Sequence, residues 1–226
     1  MSRTDDAIAA IKQMIVAGEL KPGDRLAREP DLAERLSLSR NTLREAVRAL
    51  SLIRVLDVRR GDGTYVTDLD PTTLLETFAF LVDLHRTDNV LHFFHIRRLL
   101  EPEATAIAAT AMSDDDAARL QRHLDAVGDN PDVDDLVAND VVFHRKIAEA
   151  AGNPVLTALL DSLTGVTQRA RLWRGFAEAG AVERTLTEHR AIASAIANHE
   201  PELARAAAIT HVIGLEMFLR RALHTR

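Results

Sequence analysis

The chain contains no cysteine, so disulfides and thiolate-held metals are both excluded. Any bound metal must take His and carboxylate ligands, a donor set that points to Zn, Ni, Mn or Fe. Aromatic residues make up only 4% of the 226 residues. No apolar run approaches the length of a membrane span, and the opening "MSRTDDAIAAIKQ" lacks the apolar core of a signal peptide. A cytoplasmic protein with no membrane partner is the expectation. What is present is 46% hydrophobic and 27% charged residues, enough to bury a core in one large domain or two of ordinary size. The apolar residues are mainly Ala and Leu, and Gly and Pro sit mostly between periodic runs, which favours helices.

A net charge of -6 argues against nucleic acid only until its distribution is considered. Residues 1–70 carry 12 basic and 12 acidic side chains, and residues 71–226 carry 16 and 22. Within 25–60 there are nine Arg against five acids. A DNA-reading module joined to an acidic effector domain would show this pattern, and so would chance.

Ile8, Ile11 and Ile15 mark a first amphipathic helix closed by Gly18. "LKPGDRL" reads as a turn on Pro22-Gly23, and a short helix follows with Pro30 near its first position, where a missing N–H costs nothing. Leu32, Ala33 and Leu36 face inward from it. Ser39 is placed to cap a helix from Arg40 to about Leu52, with Leu43, Val47 and Leu50 buried and Arg40, Arg44 and Arg48 on a second stripe. "RVLDVRRGDGTYV" reads as two short strands around Gly61-Asp62-Gly63. This order is that of a winged helix-turn-helix. Its second helix would offer Arg40, Asn41, Thr42 and Arg44 to the major groove, Ser39 and the helix N-terminus to a phosphate, and Arg59, Arg60 and Gly61 to the adjacent backbone or minor groove. The plainer alternative is an Arg row on a solvated helix.

"GELKPGDRLAREPDLAERLSLSRNTLREAVRALSLIRVLDVRRGDGTYV" resembles the N-terminal domain of the GntR family of bacterial transcription regulators. The Leu-x-Pro-Gly turn, the Leu-Ala pair, Ser-Arg-x-x-Leu-Arg-Glu-Ala and Gly-x-Gly-Thr-Tyr-Val are all present. The resemblance implies that Arg40 and Arg44 touch operator bases. Two departures bear on the operator sequence. Pro30 stands where the family often has a DNA-contacting Arg, a role Arg28 would have to fill. "SLIRVL" lacks the glycine that usually precedes the first wing strand.

Beyond Pro71 the pattern predicts helices at about 72–86, 90–112, 114–128, 132–151, 154–174, 180–198 and 201–223. The fold class expected is therefore mainly α: a winged helix-turn-helix over 1–70, then an all-α antiparallel bundle of about seven helices over 71–226. Ser113 should cap one helix, with acids in its first turn. Asp140 and His144, one turn apart in "ANDVVFHRKIAEAAGNP", share a helix face. His189 and His211 lie among apolar neighbours on two further helices. A lone histidine in such a setting is more often a core or boundary residue than a ligand, and spacing does not show whether three helices converge.

"HIRRLLEPEATAIAA", "NDVVFHRKIAEAAGNPVLTALL" and "TEHRAIASAIANHEPELARAAAITHV" resemble the FadR-type C-terminal domain found behind many GntR-type DNA modules. In its metal-binding branch an Asp and three His hold a divalent cation, and these map onto Asp140, His144, His189 and His211. Zinc is the first choice, with Ni, Mn or Fe as alternatives. Arg97, with Glu101 one turn on, maps onto the Arg that would pair with an effector's carboxylate; the bland reading is an i,i+4 ion pair. The whole implies a homodimeric, ligand-responsive regulator, expected to be a repressor, that binds operator DNA under control of a small organic acid. Two other functions stand beside it: an acyl or apolar-ligand sensor with a purely structural metal, and a metal enzyme with Glu101 or Glu188 as base. The segment 66–74 is the expected movable link.

Overall fold

The computed structural model describes residues 3–70 and 90–224, in two compact units spanning Met1–Thr77 and Phe78–Arg226. The expected helix at 72–86 and residues 71–74 of the segment 66–74 lie outside the described residues.

The first unit comprises α1 (Arg3–Val16), α2 (Glu29–Arg35), α3 (Arg40–Leu52), β1 (Leu56–Arg59) and β2 (Gly63–Val66). On α1 the fully buried stripe is Ala7, Ile11 and Met14, while the expected Ile8 and Ile15 are only partly buried at its edge. The 7–11–14 spacing centres the stripe on the face that packs against α3, where Leu43, Ala46, Val47 and Leu50 are buried. Leu32 and Ala33 of α2 join this core, and Leu36 packs beside it. Pro30 opens α2 in its first turn, as its missing N–H allows. β1 and β2 pair antiparallel from Leu56↔Val66 to Arg59↔Gly63. The stretch read as a turn at Pro22-Gly23 does more than turn: Gly23 N–H donates to the Val66 carbonyl and Leu26 N–H to the Thr64 carbonyl, so 23–26 lies along β2 as a third edge. Where the family resemblance expects glycine, Arg54 adopts the left-handed conformation itself, with φ 60.

The second unit contains α4 (Val90–Ala111), α5 (Asp114–Asp125), α6 (Val133–Ala150), α7 (Pro154–Ser162), α8 (Thr164–Ala177), α9 (Ala181–Ala197) and α10 (Pro201–His224). Side-chain caps start three of them: Ser113 accepts from Asp116 N–H, Asp132 from Asp135 N–H, and Asn153 from Val155 and Leu156 N–H. α4 runs through Pro102, whose ring is buried; extensive packing against α10 holds the helix together despite the lost hydrogen bond. The single helix expected at 154–174 is two. At Leu163 the chain tightens, its N–H bonding the Leu160 carbonyl, while the Ser162, Thr164 and Thr167 hydroxyls bond backbone carbonyls of the preceding turn. Hydroxyl groups that compete for helix carbonyls bend helices in this way. A core of Leu120, Leu124, Phe143, Ile147, Leu186 and Ile192 ties α5, α6 and α9 together. Among the described residues, no helix is long and apolar enough to cross a membrane.

Candidate metal centre and DNA-reading face

α6 turns Asp140 inward on the same face as Phe143 and Ile147, and His144 follows one turn later. α9 brings His189 and α10 brings His211 to the same point. Ligand atoms of Asp140, His144, His189 and His211 all lie within 4.8 Å of one another. The four residues assembled from the family resemblance are thus neighbours in space. His189 has no exposed surface and stacks on Phe143 at 4.7 Å.

The histidine tautomers are set from behind. Glu101 Oε1 lies 2.5 Å from His144 Nδ1, and Glu188 Oε2 lies 2.9 Å from His211 Nδ1. With a carboxylate oxygen beside each Nδ1, the two Nε2 atoms face each other across 3.2 Å. Two neutral rings arranged this way would oppose lone pairs, so a cation belongs between them. Burial opposes charge on His144, but Glu101 and Asp140 outweigh it and hold its pKa above the ordinary value. A proton on His144 would therefore satisfy this one pair. It would leave both ring nitrogens of His189 and Oδ1 of Asp140 without hydrogen bonds among the described residues. A divalent metal satisfies all four groups at once. Carboxylate-backed imidazoles are the usual outer support of such a site.

Electrostatics match that chemistry. Burial pushes His189 down to about 4, against the pull of Asp140. Burial, then His144, push His211 down to about 3. Both imidazoles are neutral at physiological pH, the form a metal needs. Burial also opposes charge on Asp140 and Glu101, yet Arg171 and His144 hold the first well below the usual carboxylate range, and Arg97 and His144 the second. Arg171, on α8, places Nε 2.8 Å from Asp140 Oδ2; burial, then Arg97, lower its pKa to about 10, so it stays a cation.

Arg97 is buried, with Nε 2.8 Å and Nη2 2.6 Å from Glu101 Oε2. The i,i+4 pair read from the sequence is therefore the outer end of a chain running Arg97–Glu101–His144. Sequence reasoning missed Arg171 and Arg174, whose only signal was two arginines on one face of "RARLWRGF". It considered Glu101 and Glu188 as catalytic bases, whereas both stand behind histidines of the cluster. Cavities flank the cluster. One of about 20 Å³ is lined by Asp140, His211, Arg171, Arg174 and Thr185 with an apolar wall. Another of about 20 Å³ is lined by Arg97, Glu101, His144 and Arg145.

In the first unit Ser39 caps α3, its Oγ accepting from Thr42 N–H at 3.1 Å. Arg40, Asn41 and Arg44 are exposed and Thr42 is partly so. Arg44 Nε lies 2.8 Å from Glu29 Oε2 of α2, which fixes the guanidinium plane. Arg28, Arg59, Arg60 and Gly61 are exposed. Arg59 lies 4.3 Å above the Tyr65 ring and pairs with Asp57. Arg25, not anticipated, braces the wing by donating to the Asp62 carbonyl; a Cβ at Gly63 would collide with its guanidinium.

Comparison with known proteins agrees with this division. Residues 3–66 match the model of bacterial regulatory proteins of the gntR family, and residues 92–214 match the FCD domain. LutR, an HTH-type transcriptional regulator of Bacillus subtilis, is 29% identical over 90% of this chain and 94% of its own. The galactonate operon transcriptional repressor of Escherichia coli is 27% identical over 94% of both. Streptococcus agalactiae GntR superposes with a TM-score of 0.69 at 26% identity, covering 95% of this chain and 99% of its own. DNA-binding transcription regulation, not catalysis, is the function class these relatives share, and the chain belongs to the GntR family, with an FCD domain behind its winged helix-turn-helix.

Proposed function

We propose that the chain is a cytoplasmic, homodimeric repressor whose operator affinity is set by a small carboxylate bound at a divalent metal, most simply zinc, held by Asp140, His144, His189 and His211. The observation that carries this reading is the facing pair of imidazole Nε2 atoms, each ring backed by its own carboxylate. Three imidazoles and one carboxylate leave coordination positions that a carboxylate or hydroxy-acid can complete. A relative named for a galactonate operon supports a sugar or hydroxy acid as the effector class. The charged lining of both flanking cavities favours an acid over an acyl chain.

Two copies would place two α3 helices on two operator half-sites, reading bases through Arg40, Asn41, Thr42 and Arg44. Ser39 and the α3 N-terminus would hold a phosphate, and Arg28, Arg59, Arg60 and Gly61 the flanking backbone. Such contacts require the acid to bind one arrangement of the two arms more tightly than another.

The test uses duplexes selected from a random pool by the metal-loaded protein. A panel of sugar and hydroxy acids is then screened for release of the selected duplex. His144→Ala should retain the duplex but ignore the acid that releases it from the wild type. Release of His144→Ala at the wild-type acid concentration would sink the metal-sensor reading.

A further inference from the structure

Arg40, Arg44 and Arg48 all stand exposed on α3, and their surroundings differ. Arg48 pairs with Glu45, three residues earlier on the same helix. Arg40 has no ion-pair partner among the described residues. Arg44 is held from another element: its Nε lies 2.8 Å from Oε2 of Glu29, the first residue of α2.

Both ends of that bond rest on fixed backbone. Leu32 and Ala33 of α2 share one core with Leu43 and Val47 of α3. Pro30, next to Glu29, has a locked φ and stiffens the opening turn of α2. An acid in that turn suits the positive helix end, a role Asp31 fills in the same turn. Glu29 instead reaches across to α3. Its carboxylate adds negative charge where a phosphate backbone would lie, which lowers affinity for any duplex. What it contributes is orientation. A guanidinium held through Nε keeps one plane, and the outer edge of that plane matches the O6 and N7 acceptors of guanine.

We propose that Glu29 is a positioning residue for base reading: it holds Arg44 to a guanine in the major groove while weakening general affinity for DNA. This rests on α3 being the recognition helix, as read above. An exposed ion pair that only tied α2 to α3 would contribute little and carry no base preference. Specificity is a difference of affinities, and a guanidinium freed to swing accepts other base edges more readily. Removing Glu29 should therefore loosen one base position and leave those read through Arg40 as they are.

The full chain selects duplexes from a random pool, and sequencing the bound fraction gives the preference at each position. Arg44→Lys keeps the charge but not the planar fork. It marks the guanine in question by a loss of about tenfold or more in preference there. Glu29→Ala should lower preference at that same position by about threefold to tenfold, with other positions within about twofold. It should bind a duplex of random sequence at least as tightly as the wild type, because a negative charge has left the DNA-facing side. Glu29→Gln keeps an acceptor for Arg44 Nε without the charge. It should fall between wild type and Glu29→Ala, and it carries the test if the Ala variant does not fold. Added to Arg44→Lys, Glu29→Ala should change nothing further at that position. An unchanged guanine preference in Glu29→Ala, an equal loss at every position, weaker hold on random duplex, or a further loss in the double variant overturns the assignment alone. A wild-type chain that enriches no sequence removes the reading of α3 as well.

Discussion

A histidine's role depends on what stands behind its ring, and this chain shows two outcomes. His144 and His211 have carboxylates on Nδ1 and turn Nε2 to a common point. His199 instead closes a structural clip: it takes a left-handed backbone, φ 53, with Nδ1 on the Ala109 carbonyl at 3.0 Å and Nε2 on Asp114 Oδ1 at 3.0 Å. Asp114 first, then the Ala109 carbonyl, raise the His199 pKa above the ordinary histidine value. Because the folded value exceeds the unfolded one, the protonated clip stabilises the fold fully below about pH 6.5. That contribution fades as pH rises through the folded pKa. NMR titration should show His199 protonated to higher pH than an unstructured peptide, and Asp114→Asn should lower its midpoint; an unchanged midpoint would refute the clip. The sequence displayed all nine histidines alike. Spacing exposed the Asp140/His144 turn because both lie on one helix, but the carboxylates behind His144 and His211 come from α4 and α9, and no local pattern reports a partner on another helix.

Helices and strands were legible where their signals are local. Ser39 and Ser113 cap as their positions required, and the hairpin forms around Gly61-Asp62-Gly63. Departures came where tertiary or hydroxyl contacts decide: the stripe of α1 turned toward α3, the 23–26 edge along β2, and the break at Leu163. The α3–β1 junction is a third case. Arg54 N–H bonds the Ser51 carbonyl and Val55 N–H the Leu50 carbonyl, a helix end built around a left-handed residue. Holding a Cβ-bearing residue there costs roughly 1–2 kcal/mol. Arg54→Gly relieves that, offset by the greater freedom of glycine when unfolded, roughly 0.5–1 kcal/mol. A net gain of about 0.5–1 kcal/mol should appear in denaturant unfolding of the full chain. Destabilisation would mean that the Arg54 side chain makes a contribution its exposure does not suggest.

At the scale of the whole molecule, a DNA-reading unit and a bundle with a candidate metal centre share one chain. The uneven charge of the sequence suggested that split before any contact was known, and the FCD and GntR matches fall on its two sides. What composition could not supply is the meeting of α6, α9 and α10 at one point, which is set by helix packing. Because the ligand residues come from three helices, the metal should stabilise the folded bundle through its preference for the native state. Metal at about 100 times its Kd adds about 2.7 kcal/mol, which for a protein of this size raises Tm by roughly 5–10 °C. Whether the four residues hold a metal is tested most directly by thermal unfolding of the purified chain before and after chelation, with bound metal counted by mass spectrometry and His189→Ala as control. The expected result is one divalent ion per chain, a Tm that falls on chelation and returns with Zn2+, and no such response in His189→Ala. A wild-type chain that retains no metal and melts at the same temperature with and without Zn2+ would contradict it.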